Sequence, residues 1–194
     1  AVYLNTDPPQ YPWFMESFKG AVVSRLLVAA VAMLVLVGFL AAGALTPMSR
    51  SEAESLTSGF EELLSTVAAS PAGIFLNNFL ASLLMMVPAA GMALAAYIAY
   101  NTGLVIGAVS IVSNIPPALA LTVPFITVYG FFEMFAYGFA VSESFYLAAA
   151  AVRRRFRAEL RLFPVMLVVV VGLLAVAALL EWLLIAFFGS LLPR

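Results

Sequence analysis

The chain has 194 residues, of which 64% are apolar and only 10% charged, and its mean hydropathy is +1.09. So little polar surface cannot cover a water-soluble fold, which makes lipid the solvent for most of the chain. The net charge of -1, the lack of histidine and cysteine, and Asp7 as the sole aspartate leave no imidazole base or ligand, no thiolate and no aspartate pair.

Catalysis is correspondingly unexpected. A serine–lysine pair would have to recruit Lys19, the sole lysine, at the membrane edge, and no motif calls for a cofactor or a metal. The length suits one transmembrane domain, residues 1–194, with no polar half to suggest a soluble one. The charges are segregated, with acids at 52–62 and five arginines at 153–161, a pattern that reports membrane topology rather than nucleic-acid binding.

Residues 1–20 are polar and aromatic, with Pro8, Pro9, Pro12, Trp13 and Phe14, and read as an interfacial arm rather than a cleaved signal peptide. A first span is predicted from Ala21 to Leu45, with Arg25 snorkelling back to the headgroups. Between Thr46 and Ser70, Leu56, Phe60, Leu63, Leu64 and Val67 recur at helical spacing among four glutamates, which predicts an amphipathic extracytoplasmic helix near 50–68, opened by a Ser51–Glu54 capping box. A second span is expected from Ile74 to Tyr100. A third starts at Thr102 but meets Asn114, Pro116 and Pro117 after a dozen residues.

Residues 118–152 exceed one crossing and contain Pro124, so a broken or re-entrant stretch near 110–130 is predicted, followed by a fourth span. The fifth runs from Pro164 to Phe188, with Trp182 at an interface. The expected fold is therefore an all-α polytopic bundle of about five transmembrane helices. Positive-inside accounting puts the N-terminus and the cluster Arg153, Arg154, Arg155, Arg157 and Arg161 in the cytoplasm, and the C-terminus outside. The same arginines are candidates for anionic headgroups.

Glu133, set among aromatic residues, is the most costly side chain in the apolar segments, at about 2.5–3.5 kcal/mol for an uncompensated charge at mid-membrane. It must be protonated, hydrated, paired or bound to a cation. Tyr129 and Tyr137 lie one helical turn to either side on the same face, and Asn77, Asn78 and Asn101 are further intramembrane polar groups, so these six residues form the candidate polar or ion-binding cluster. The structural alternative is that they only hydrogen-bond one helix to the next. Gly103, Gly107 and Gly130 are candidate helix-packing positions, expected to serve packing within the protomer before a dimer seam, while Met85, Met86 and Met92 read as filler.

Two blocks carry a family resemblance. Phe75, Leu76, Asn77 and Asn78, followed by Gly91 and by Asn101, Thr102, Gly103 and Gly107, resemble the second and third spans of the stage II sporulation protein M family, also known as the DUF95 family. That family carries a proline-histidine-glycine triplet followed, after two residues, by a glutamate; here Val128, Tyr129 and Gly130 precede Phe131, Phe132 and Glu133. Tyr129 replaces the histidine and Val128 the proline, which removes any role that needs an imidazole. The resemblance implies a polytopic membrane protein with a cytoplasmic N-terminus, and for its named member a scaffold in a peptidoglycan-degrading complex.

Two function classes follow. The first is a non-enzymatic membrane scaffold or assembly protein, with membrane lipids, a second copy of itself or other envelope proteins as partners. The second is a transporter or proton- and ion-handling protein that uses Glu133 in a hydrated site between broken helices. Flux that depends on Glu133 separates them.

Overall fold

The computed structural model describes residues 12–191, and its side chains from 20 to 187. The described residues contain helices and no strand. The elements are α1 (Pro12–Ala44), α2 (Arg50–Val67), α3 (Pro71–Met85), α4 (Ala90–Ser113), α5 (Pro117–Ile126), α6 (Val128–Val152), α7 (Phe156–Glu159) and α8 (Phe163–Leu191). Residues 1–11 of the expected arm lie outside the described residues, and from Pro12 onward the chain is already helical and continuous with the first span.

Local chemistry sets the breaks. α1 ends before Pro47, and α2 opens on a capping box in which Ser49, not Ser51, is the cap. The Glu52 amide donates to Ser49 Oγ at 3.3 Å, while the Ser49 amide and hydroxyl each donate to Glu52 Oε2 at 2.7 Å. These bonds, the side-chain one first, hold the exposed Glu52 carboxyl below the usual carboxylate range. α2 and α3 meet at a bend of 116°, where Ser70 caps the Gly73 amide at 3.1 Å and Pro71 takes the first helical position.

The expected second span from 74 to 100 is instead two helices. The chain breaks at Met86–Ala89, with Pro88 and with Ala89 at a φ of 63°. Both sides of the break are apolar, so hydropathy cannot reveal it. α4 in turn is a full span from Ala90 to Ser113, not a short one begun at Thr102. It stops at Asn114, in the left-handed region at a φ of 54°, where Ser110 Oγ donates to the Ile115 carbonyl at 2.7 Å. The predicted break near 110–130 is present as this stop, the short α5 and an extended Thr127 before α6.

Glycines set the central crossing. A Cβ on Gly103 would overlap the Leu40 carbonyl, one on Gly43 the Tyr100 carbonyl, and one on Gly107 would meet Ala44, so α1 and α4 touch backbone to backbone and run in the same direction. Gly130 makes the same kind of approach to the Pro124 carbonyl, which folds α5 back against α6. Nearer the start of α1, α6 crosses it at Gly138 and Ala29 and packs on α8, around a core that includes Leu36, Ala95, Phe139, Val170 and Leu174. Met85 and Met86 belong to this core, whereas Met92 is exposed.

Because α1 and α4 run in parallel, α3 must return the chain between them. Asn78 lies beside Glu133, and the α3–α4 turn lies beside Ser144, whose hydroxyl donates to the Val87 carbonyl at 2.7 Å. α3 thus runs alongside α6 in the same direction. Among the described residues four helices, α1, α4, α6 and α8, are long and apolar enough to span, and α3, about 22 Å long at 1.5 Å per residue, is a short fifth passage.

Candidate functional site

Two buried polar centres sit at different heights along α6. The first contains Glu133. It lies in a cavity of about 390 Å³ between α1, α3, α4, α6 and α8, roofed by Phe60, Leu63, Leu64 and Val67 of α2. The Asn78 side-chain amide donates to the Glu133 carboxyl group, and Asn77 in turn donates to Asn78 Oδ1 at 3.2 Å. Tyr129 and Tyr137, one turn to either side, line the same cavity.

A group not counted in the sequence-derived cluster completes this centre. Glu181 of α8 lines the cavity within interaction range of Glu133. It lies at the end of a span of Val, Leu and Ala, and only the packing of α8 on α6 shows that the two carboxyl groups share one space. Among the described residues no basic side chain lines that space. Asn101 does not join it: its amide donates to the Tyr97 carbonyl of its own helix at 2.8 Å. Gly103 and Gly107 lie on the α1 contact, and Gly130 on the α5–α6 turn.

The second centre corrects the reading of Arg25. Its side chain does not snorkel to the headgroups; it is 3% exposed and turned into the bundle, where Nε donates to Glu143 Oε2 at 3.1 Å. Glu143 is fully buried, and its other oxygen, Oε1, has no hydrogen-bond partner among the described residues. The guanidinium also pairs with Glu159 of α7 and lies 4.5 Å from the centre of the Tyr146 ring. Ser142 Oγ donates to the Arg25 carbonyl at 3.2 Å. An inward carboxylate explains the inward arginine, since a buried charge is tolerated when paired. Ser142, Glu143 and Ser144, a polar triplet within an apolar helix, were the signal in the sequence for this partner.

The first centre holds two carboxyl groups with a hydrogen-bond donor and no basic residue; the second holds one guanidinium between two carboxylates. The second is a tether joining α1, α6 and α7. The first is open space with acceptors and no mate, which suits a proton, a cation or a cationic group. Arg153, Arg154, Arg155, Arg157 and Arg161 are all exposed, in and around α7, at the end of the bundle that Arg25 reaches. Among the described residues no group of three or more acidic, histidine or cysteine side chains is placed to hold a metal ion.

No curated protein and no solved structure matches the chain. The profile of the family described as Stage II sporulation protein M matches residues 23–184, from the first span through the last and across both polar centres. An all-helical bundle of several apolar spans with a match of that extent makes the chain a member of the stage II sporulation protein M family.

Proposed function

We propose that this chain is a non-enzymatic membrane protein that handles protons or cations at the Glu133–Glu181 cavity. The observation that carries the reading is that two carboxyl groups from different helices meet inside the bundle with no basic residue, among the described residues, lining the space around them. A bundle that needed only packing would hold no such pair, because each acid costs about 2.5–3.5 kcal/mol as a charge at mid-membrane. The apolar wall around the pair and the helix breaks at Ser70 and Thr127 suit a site formed between interrupted segments. Tyr129 places a phenol on that wall where the family pattern has an imidazole, so proton movement here would run through carboxyl groups.

The arginines at 153–161 share an end of the bundle with the first half of α1, and the positive-inside rule makes that end cytoplasmic. The N-terminus is then cytoplasmic, α2 lies at the outer surface and the C-terminus is extracytoplasmic. The test is proton and alkali-cation flux in liposomes, comparing the parent with Glu133→Gln and Glu181→Gln. Loss of flux in both variants is the expected result; equal flux in all three defeats the reading.

A scaffold role is the second reading, and the outer helix favours it. Leu56 of α2, which does not line the cavity, remains 40% exposed and is available to lipid, to a second copy or to another envelope protein. Under this reading Leu56→Glu abolishes assembly in the cell envelope while Glu133→Gln leaves it intact.

A further inference from the structure

We infer that the cavity around Glu133 takes an organic cation with a bulky apolar body, rather than an inorganic ion. This deepens the proposed function and rests on it.

The shape of the cavity makes the first case. A bare alkali or divalent cation needs a shell of about six oxygens at short range and little else. Here the space is about 390 Å³, within the range of small-molecule sites, and most of its wall is hydrocarbon: Leu36 and Leu40 of α1, Ile98 and Ile106 of α4, Met134 of α6 and Phe60 of α2. A small ion would leave that wall unoccupied. An apolar body fills it and gains from leaving water.

The polar groups make the second case. They gather on α3, α6 and α8, where Glu133 and Glu181 supply negative charge and Asn78 occupies one acceptor position on Glu133. Tyr129 and Tyr137 add aromatic rings beside the acids, and among the described residues the Tyr137 hydroxyl has no hydrogen-bond partner. Carboxylates flanked by aromatic rings suit a diffuse positive charge on nitrogen or phosphorus, which the ring faces attract electrostatically. α2 roofs the space through Phe60, Leu63 and Leu64, and its joint with α3 at Ala68–Ser70 is where the roof would lift to admit such a molecule.

The test uses the full chain in lipid nanodiscs and two ions of matched size and shape, tetraphenylphosphonium and tetraphenylborate. Tetraphenylphosphonium is expected to bind saturably, tetraphenylborate not at all, and excess sodium or potassium not to compete. Glu133→Gln and Glu181→Gln should each weaken binding at least tenfold. Ile98→Trp, which fills the cavity and leaves both acids in place, should do the same, and it carries the test if an acid variant fails to fold. Equal binding of the two ions, no effect of any variant, or displacement by sodium overturns the inference. Glutamate-dependent sodium or proton flux without tetraphenylphosphonium binding sinks this inference and leaves the proposed function standing. Glutamate-dependent binding with no flux of any cation does the reverse.

Discussion

Replacing Arg25 by methionine should be among the most damaging single changes to this protein's stability. The substitution keeps an unbranched side chain of similar length and removes the charge, leaving Glu143, which is fully buried and already has one oxygen without a partner, with no cation. Losing one member of a buried pair costs about 3–5 kcal/mol because the other charge stays behind in a medium that cannot solvate it. Glu159 also loses its mate, but it reaches solvent at 23% exposure and contributes less. Glu143→Leu should cost less than Arg25→Met, since Arg25 keeps Glu159 and the Tyr146 ring. The double variant Arg25→Met with Glu143→Leu should recover much of the loss, because an apolar pair of similar volume needs no solvation. Unfolding of the detergent-solubilised chain in denaturant, measured for the parent, both single variants and the double, gives the coupling energy. A value above about 1 kcal/mol is expected for a contacting pair, and additivity within about 0.5 kcal/mol would refute the tether.

The other consequences concern packing, the outer helix and the cavity. Gly103→Val should push α1 away from α4, costing about 1–3 kcal/mol in the same unfolding assay, whereas Gly172→Val, at a glycine with open space around it, should cost far less. Once the pH falls below the ordinary carboxylate range, the start of α2 should fray. The Glu52 carboxyl is held below its ordinary range by Ser49, so its contribution is complete above that range and lost as pH falls through the lowered value. The protection of the amides of residues 52–54 against hydrogen exchange, taken relative to the intrinsic rate at each pH, should therefore fall in acid in the parent, and Glu52→Gln should remove that pH dependence. Glu133→Gln should leave stability unchanged or raise it, since the amide still accepts from Asn78 and no longer repels Glu181; thermal unfolding that drops by several degrees would contradict this.

Hydropathy alone located α1, α6 and α8, because each is an apolar run longer than a membrane needs and is bounded by charge or proline. It also located the outer helix α2, through the spacing of its leucines among glutamates. It misplaced the second and third spans because the turn at Met86–Ala89 is as apolar as the helices it joins, and a break made by Pro88 and one left-handed residue changes no average. Half of the candidate site was legible for a related reason. Tyr129, Glu133 and Tyr137 share a helix face, and helical periodicity places them together without tertiary knowledge. Asn77 and Asn78 were named for their polarity within an apolar run, but their place beside Glu133, and Glu181 altogether, depend on other helices, and nothing in one sequence says which faces of three apolar helices meet. Asn101 looked equivalent to Asn78 by composition, yet it satisfies itself on its own backbone. Arg25 was misread because one arginine near a helix end fits both snorkelling and pairing, and only its partner decides which.

The partner also explains why α6 can hold two buried acids with different fates. Glu133 and Glu143 are ten residues apart, about 15 Å along the helix, too far to share a partner. They therefore meet separate surroundings. Glu143 faces the start of α1, where Arg25 supplies a cation and α7 adds a second acid, so its chemistry is consumed in holding helices together. Glu133 faces α3 and α8, which supply an amide and another acid, and among the described residues no cation lines the space around it. A helix fixed to its neighbours at one height can tolerate an unmatched group at another, because the tether holds the register that keeps the cavity walls in place. Among the described residues no ion pair ties α2, α3, α4 or α8 to another helix, Arg50 and Glu54 pairing only within α2, and of these the α2 roof and the short α3 meet at the 116° bend. Any movement that admits a ligand is accordingly expected there, while α1, α6 and α7 stay locked around Arg25.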